Sequence, residues 1–223
     1  MLLVIATFVT VSACGGAFST NAPSDLATQS PAGACQTVQH SLGETCVPKD
    51  PKRLIATDGI ALEVLLALDR KPLAAAEPNL VSSRARQLEG MTEGIDSLGS
   101  EQQPSLEKLV QLNPDMILGF NVSSENYDIF SHVSPTVSLD YTQIGWKKEL
   151  RRSGEVLNNT QRAEQLLVEY QARIREFQAA MGNQLEQTEV SVVRFYSDAG
   201  STDFRPRLSF PGSVLEDVGL PRP

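Results

Sequence analysis

The sequence is poor in the residues on which metal centres and many enzyme sites depend. Its 223 residues include two histidines, His40 and His132, and three cysteines. A Zn or Mn site built by the protein usually needs several imidazole or thiolate ligands, so direct metal binding is not expected. The sequence has no G-x-x-x-x-G-K-[ST] loop, H-E-x-x-H motif or G-x-S-x-G elbow. A triad of His132 with Ser131 or Ser134 would be a coincidence, and we predict no enzyme.

Positive charge is also scarce. The chain has 19 Lys and Arg against 27 Asp and Glu, which gives a net charge of −8. Proteins that bind nucleic acids carry a basic face, so this class is not expected. Hydrophobic residues make up 41% and charged residues 21%, which are ordinary values for a globular protein with a buried core. The length fits one large domain or two small ones.

Long hydrophobic runs are missing except at the N-terminus, where residues 2–13 are almost entirely apolar. Such a run is too short to span a bilayer but is typical of the core of a signal peptide. Residues 11–14, VSAC, resemble a bacterial lipobox, in which the cysteine is lipidated. No Lys or Arg precedes the run, and a secretory signal with a chance cysteine is the alternative. We predict a signal peptide over residues 1–14, lipidation at Cys14 and a periplasmic, lipid-anchored location.

Residues 15–34 are rich in Ser, Thr, Ala, Pro and Gly without an apolar period, which predicts a flexible tether. Cys35 and Cys46 then remain, and they flank a predicted β-hairpin with its turn near residues 42–43. Export places both cysteines in an oxidising compartment, so we predict a disulfide, with two free thiols as the alternative.

Strands and helices alternate between residues 35 and 145. Strands are predicted at residues 53–58, 73–76, 116–120 and 135–140, and helices at 59–69, 104–113 and 123–133, with an irregular segment at 77–94. Strands separated by helices form βαβ units with a mainly parallel sheet. The pattern therefore predicts an N-terminal α/β lobe over residues 35–145.

Residues 146–187 have a different, helical character. A helix at 146–157, interrupted by Gly154, precedes one at 161–181 whose apolar residues recur at helical spacing. A helix of about 21 residues is a rod of roughly 30 Å, which suits a strut between two lobes.

A strand at residues 189–196 and a helix at 211–218 predict the start of a second α/β lobe over residues 188–223. One strand and one helix leave an apolar sheet face uncovered, so this second lobe is expected to be incomplete. The alternative is a C-terminal extension that packs on the first lobe.

Four segments of the chain resemble the iron-siderophore and vitamin B12 family of periplasmic substrate-binding proteins. They are residues 40–48 followed by 51–55, then 65–72, 99–119 and 210–223, of which GSEQQPSLEKLVQLNPDMILG (99–119) is the most specific. The resemblance implies an α/β fold with two Rossmann-like lobes joined by a long helix, the class III periplasmic-binding-protein fold. Members of this family use no cofactor; they capture a chelate between the lobes and deliver it to an ABC permease. The expected function is capture of a ferric siderophore, Fe(III)-siderophore being the ligand, for iron import.

Three alternatives stay open. Cobalamin capture uses the same fold, and the sequence does not separate it from siderophore capture. A Rossmann-like nucleotide-binding enzyme is a different class, but the first strand runs into Asp58-Gly59-Ile60 and not into a Gly-rich turn. A purely structural surface lipoprotein is the third.

Candidate ligand-binding residues lie after the carboxyl ends of the predicted strands, where open α/β sheets bind their ligands. The outside of a ferric siderophore is anionic or carbonyl-rich with aromatic faces, which suits Arg, Tyr and Trp. Each candidate could instead be a solvated side chain, and Trp146 could be a core residue at the base of the strut. The candidates are Asp58, Arg84, Asn121, Trp146, Tyr196, Arg205 and Arg207.

Glu107 is a candidate of another kind. In the family that the chain resembles, an exposed glutamate on each lobe docks onto arginines of the permease, and Glu107 in PSLEKL matches the first-lobe position. The alternative is an ordinary first-turn glutamate that the helix dipole stabilises. The expected partners are a ferric siderophore and an ABC permease–ATPase complex. We expect the chain to contact the membrane through its lipid anchor alone. We also expect it to be a monomer and not to bind nucleic acid.

Overall fold

The computed structural model describes residues 35–79, 88–120, 122–140, 142, 145–195 and 202–221. The predicted signal peptide and tether lie outside these ranges, as do Cys14, Arg84, Asn121 and Tyr196. None of the helices in the described ranges combines the length and the apolar character that a bilayer crossing requires. In chain order the elements are β1 (Cys35–His40), β2 (Gly43–Pro48), β3 (Leu54–Ala56), α1 (Gly59–Ala67), β4 (Ala74–Ala75), β5 (Asp96–Ser97), α2 (Leu106–Leu112), β6 (Met116–Phe120), α3 (Ser124–Ser131), β7 (Thr136–Leu139), α4 (Trp146–Val156), α5 (Thr160–Met181), a 3-10 helix (Gly182–Gln187), β8 (Val193–Phe195), β9 (Thr202–Phe204) and α6 (Phe210–Val218).

A parallel sheet forms the centre of the N-terminal part. Its strands lie in the order β5-β4-β3-β6-β7, and each neighbouring pair is parallel. Every residue of β6 is buried, as expected of a strand covered on both faces. The predicted parallel α/β arrangement is therefore confirmed. The edge strand β5 was not predicted.

The alternation of side chains along β6 divides the core into two layers. Met116, Leu118 and Phe120 pack with buried side chains of α1, α4 and α5 on one face of the sheet. Ile117 points to the other face, where it packs with Leu109 of α2 and with α3. Helices thus cover both faces and leave the ends of the strands as the place where a cavity can open.

The predicted N-terminal hairpin is confirmed and packs against the sheet. β1 and β2 pair antiparallel, and a disulfide joins Cys35 to Cys46. At the turn, the backbone N–H of Ser41 donates to the carbonyl oxygen of Ser138 in β7 (3.1 Å). The hairpin is therefore held by a covalent link within it and by hydrogen bonds to the outermost strand of the sheet.

His40 is a buried part of this hairpin. Its Nδ1 accepts a hydrogen bond from the backbone N–H of Leu42 (3.2 Å), and its Nε2 lies 2.9 Å from Oγ1 of Thr45. Burial lowers the pKa of His40, and the positive charge of Arg152 lowers it further. The ring thus has a structural place in the turn.

Gly154 does not interrupt α4, so that prediction is wrong. The helix runs through this residue to Val156. A Cβ at position 154 would lie 2.8 Å from the Cβ of Ala163 in α5, closer than such atoms can pack. Glycine is present here because it lets the two helices approach, and packing outweighs its low helix propensity.

The residues after α5 differ from the prediction in detail. Of the strand predicted at 189–196, the described part forms a strand only at residues 193–195, where β8 pairs antiparallel with β9. Further along, α6 packs on α5, and Nε2 of Gln178 donates to the carbonyl oxygens of Asp217 and Val218 (3.3 Å each). The assignment of residues 188–223 to a second lobe stays a prediction.

Candidate functional site

A cavity of about 390 Å³ lies where β3 and β6 end. We call it the edge cavity. This is the side of a parallel sheet on which open α/β folds bind ligands. Its described lining residues are Thr57, Asp58, Glu101, Gln102, Phe120, Val122, Ser123, Asn126 and Phe130.

Asp58 is built into the wall of the edge cavity by backbone hydrogen bonds. Its Oδ1 accepts from the N–H of Ala61 (2.9 Å) and so caps α1, while its Oδ2 accepts from the N–H of Phe120 (2.6 Å). Burial raises the pKa of Asp58, and the charge of Glu101 adds to this rise, whereas the hydrogen bonds lower it. Glu101 in turn accepts from the N–H of Gly59 (2.7 Å). Two carboxylates of the chain itself therefore occupy the N-terminus of α1, where an anion would otherwise bind.

A second cavity of about 250 Å³ lies between α1, α4 and α6. We call it the aromatic cavity. Ile60 and Phe210 are 38% and 52% exposed, which places the mouth of the cavity beside them. Phe120 borders both cavities, so they adjoin at this side chain. The described lining residues of the aromatic cavity are Ile60, Glu63, Val64, Phe120, Trp146, Glu149, Leu150 and Phe210.

Trp146 combines a packing role with a place in the wall of the aromatic cavity. Its ring meets the ring of Tyr170 edge-on, with 4.9 Å between centroids, and that of Phe210 at 5.7 Å. Its Nε1 donates to Oγ of Ser213 (3.2 Å). These contacts join α4, α5 and α6 and fix the indole, so the prediction of a core residue and that of a ligand contact are compatible.

Glu149 is the most unusual group in the aromatic cavity. It is 2% exposed, and no donor among the described residues meets hydrogen-bond geometry with either carboxylate oxygen, although the backbone N–H of Asp140 lies near enough to affect its pKa. Burial raises the pKa of Glu149; the charge of Arg152 and the backbone N–H of Asp140 lower it, and the Asp140 carboxylate raises it. Burial also raises the pKa of Glu63, nearer the mouth. The cavity therefore has an acidic interior between aromatic walls.

The predicted arginines occupy other places in the structure. Arg207 forms an ion pair with Glu216 at the surface of α6. The backbone N–H of Arg205 donates to the carbonyl oxygen of Val192 (2.8 Å). Neither arginine is among the described residues that line the two cavities. Of the predicted ligand residues that are described, the structure brings Asp58 and Trp146 to the cavities and leaves the arginines outside.

Glu107 lies in the first turn of α2, on the surface. Its Oε1 accepts a hydrogen bond from Nε2 of Gln111 (3.1 Å), one turn further along the helix. Leu106 and Val110 beside it are 42% and 62% exposed, which is unusual for large apolar side chains. Glu107 is thus an exposed carboxylate with an apolar border.

Sequence reasoning did not select Phe120, Phe210, Glu101 or Glu149 for the cavity walls. Glu149 left a signal, because its spacing of four residues to Ser153 and seven to Val156 places it on the buried face of α4. The others left none, because their neighbours come from distant parts of the chain.

Comparison with known proteins identifies related sequences. The family described as "Periplasmic binding protein" matches residues 54–206. The chain is 30% identical over 190 residues to the probable siderophore-binding lipoprotein YfiY of Bacillus subtilis, which covers 84% of this chain and 58% of that protein. It is 26% identical over 192 residues to the ferric-anguibactin-binding protein FatB of Vibrio anguillarum, with 82% of this chain and 58% of that protein covered.

Solved structures give the same picture of the fold. SirA of Staphylococcus aureus, crystallised with staphyloferrin B, is 28% identical with a TM-score of 0.70, and the match covers 84% of this chain and 64% of that one. Holo-ViuP is 18% identical with a TM-score of 0.71, over 84% of this chain and 65% of that one, and shows likeness of fold alone. The predicted fold class is confirmed. The chain spans less than two thirds of the length of each of these relatives.

Proposed function

Because the chain belongs to the periplasmic binding protein family, we propose that it captures a ferric siderophore for an ABC importer and is not an enzyme. The observation that carries this proposal is the pair of adjoining cavities at the carboxyl edge of the sheet, in a chain similar to siderophore-binding relatives. Small-molecule sites usually have volumes of roughly 300–1,000 Å³. The two cavities, at about 250 and 390 Å³, together offer a volume in this range.

The proposal includes a place of action outside the cytoplasmic membrane. Residues 11–14 resemble a lipobox, and YfiY is named a lipoprotein. A lipid on Cys14 and a tether over residues 15–34 would hold the rest of the chain near the membrane. The rest would be a lobe at residues 35–145, helices at 146–187 and the beginning of a second lobe at 188–223.

We also propose that Glu107 docks onto the permease. An exposed carboxylate is available to a positively charged partner, and the exposed Leu106 and Val110 offer apolar contact around it. The charge reversal Glu107→Lys should lower uptake of radiolabelled iron in cells while the affinity for the chelate stays unchanged. Unchanged uptake by this variant at equal protein level would rule out the docking role.

Tryptophan fluorescence tests the capture of the chelate. Trp146 is the single tryptophan of the chain and lines the aromatic cavity, so its emission reports binding at or near that cavity. Ferric siderophores should quench it saturably and the same iron-free chelators much less, with N-acetyltryptophanamide as the control for light absorption by the chelate. Tighter binding of cobalamin than of any ferric chelate, seen also by the mass of the intact complex, would favour the cobalamin alternative. Binding of neither would leave the proposal without support.

A further inference from the structure

The walls of both cavities are acidic, which the sequence did not predict. Asp58 and Glu101 border the edge cavity, and Glu63 and Glu149 border the aromatic cavity. Among the described lining residues of either cavity there is no lysine or arginine. The described walls therefore suit a neutral or positively charged ligand better than an anionic one.

The burial of Glu149 is only partly compensated. Burying a carboxylate is unfavourable unless an opposite charge or hydrogen-bond donors compensate for the lost water. The charge of Arg152, one helical turn further along α4, and the backbone N–H of Asp140 lower the pKa of Glu149, but burial raises it more, and no ion pair among the described residues joins Arg152 to Glu149. Both carboxylate oxygens are closed to solvent, so a donor that arrives with a ligand reaches them through a shift of the side chain.

The other walls of the aromatic cavity suit a cation as well. Phe120, Trp146 and Phe210 surround the space with aromatic rings, whose faces attract an ammonium group. Lys147 approaches the Trp146 ring at 5.8 Å, but its ammonium is paired with Asp217 (2.6 Å). Lys147 is not among the described residues that line the cavity, so the chain's own cation does not serve Glu149.

We propose that the aromatic cavity binds an organic ammonium group through Glu149, Glu63 and the surrounding rings. This inference rests on the proposed function. The chelate that the chain captures then has no net negative charge at the metal, as in a ferric trihydroxamate, and it carries a pendant alkylammonium arm. The arm enters the aromatic cavity while the chelate lies at the edge cavity. Phe120, which borders both, separates the two parts of the ligand.

A small iron-free probe tests the cavity by itself. Benzylammonium should bind saturably in an amine-free buffer, as followed by Trp146 emission and calorimetry, and benzyl alcohol, its neutral isostere, should bind at least about tenfold more weakly. Glu149→Gln should reduce the affinity for benzylammonium by about tenfold or more and leave that for benzyl alcohol unchanged. Glu63→Gln, at the exposed mouth, should give a smaller loss. Glu155→Gln, on the exposed side of the same helix, matches the change of charge and should have no effect.

Equal binding of the alcohol and the ammonium, or an unchanged preference in both Glu149→Gln and Glu63→Gln, would overturn the inference. The Glu63 variant keeps the test valid if Glu149→Gln does not fold, which circular dichroism would reveal.

Ferric chelates separate this inference from the proposed function. Ferric desferrioxamine B carries a free ammonium and should bind at least about tenfold more tightly than its N-acetylated form, and more tightly than an anionic ferric tricatecholate. Equal binding of the free and acetylated chelates would overturn the inference and leave siderophore capture intact. Binding of benzylammonium without binding of any ferric chelate would overturn siderophore capture and keep the ammonium site.

Discussion

Asp58 and Phe120 are joined by a 2.6 Å hydrogen bond from the backbone N–H of Phe120 to Oδ2 of the carboxylate. The other oxygen, Oδ1, accepts from the N–H of Ala61 and caps α1. One side chain thus ties the end of β6 to the beginning of α1, and both elements contribute walls to the cavities. Asp58 is therefore expected to stabilise the site, in addition to any contact that it makes with the chelate.

Replacement of Asp58 by Ala should lower the free energy of unfolding by about 2–4 kcal/mol. The change removes a helix cap, worth about 1 kcal/mol, and leaves the Phe120 N–H without its acceptor, which costs about 1–3 kcal/mol. Urea denaturation measures the difference, and Asp96→Ala on the exposed edge strand β5 serves as the control. Equal stability of the two variants would contradict the role given to Asp58.

Glu149→Gln should become more stable relative to the unchanged chain as the pH rises. Because burial raises the pKa of Glu149 in the folded state, that state holds the proton to a higher pH than the unfolded chain does. The carboxyl group therefore favours folding while it is protonated, and this contribution is lost as pH rises from the ordinary value of 4.5 through the raised one. The amide does not ionise, so the variant gains relative stability over this range.

Urea denaturation at pH about 4 and about 8 tests this expectation. Glu155→Gln, whose side chain is exposed, should show no such trend. A difference between Glu149→Gln and the unchanged chain that is the same at both pH values would show that Glu149 does not titrate abnormally.

Reduction of the Cys35–Cys46 disulfide should lower the free energy of unfolding by about 3 kcal/mol, the chain-entropy value for a loop of this size. The background for this experiment is Cys14→Ser, which removes the third thiol of the chain. Alkylation of non-reduced material from the periplasm should modify neither cysteine. Mass spectrometry that finds two alkylated thiols would refute the bond in the exported protein.

Cys14 should carry the lipid when the chain is expressed in a bacterium that processes lipoproteins. The small residues before it and the polar segment after it suit lipoprotein processing and a surface anchor. Metabolic labelling with a fatty-acid analogue should mark the unchanged chain and Cys35→Ser but not Cys14→Ser. Label retained in Cys14→Ser would place any acylation elsewhere.

Elements with a continuous apolar pattern were predictable from the sequence. β6 was expected at residues 116–120 and lies there, because all five side chains are buried and Pro114 and Asp115 precede it. β5 escaped prediction because its two residues, Asp96 and Ser97, are exposed and join the sheet through their backbone. A two-residue polar edge strand has no side-chain pattern to read.

Only those residues of the candidate site that stand at a recognisable place in the local sequence were predictable. Asp58 was found because it comes directly after a strand, and ligands gather at strand ends. The burial of Glu149 could be read from its spacing along α4, but its place in the aromatic cavity could not, because no local pattern brings α1, α4 and α6 together. Arg207 was selected for its charge, but that charge is paired with Glu216 on the same segment.

Phe120 forms part of the wall of both cavities, its side chain is buried, and its backbone N–H is held by Asp58. If a ligand in one cavity shifts this ring, the other cavity changes shape with it. By linkage, the occupants of the two cavities then change each other's affinity by the same factor.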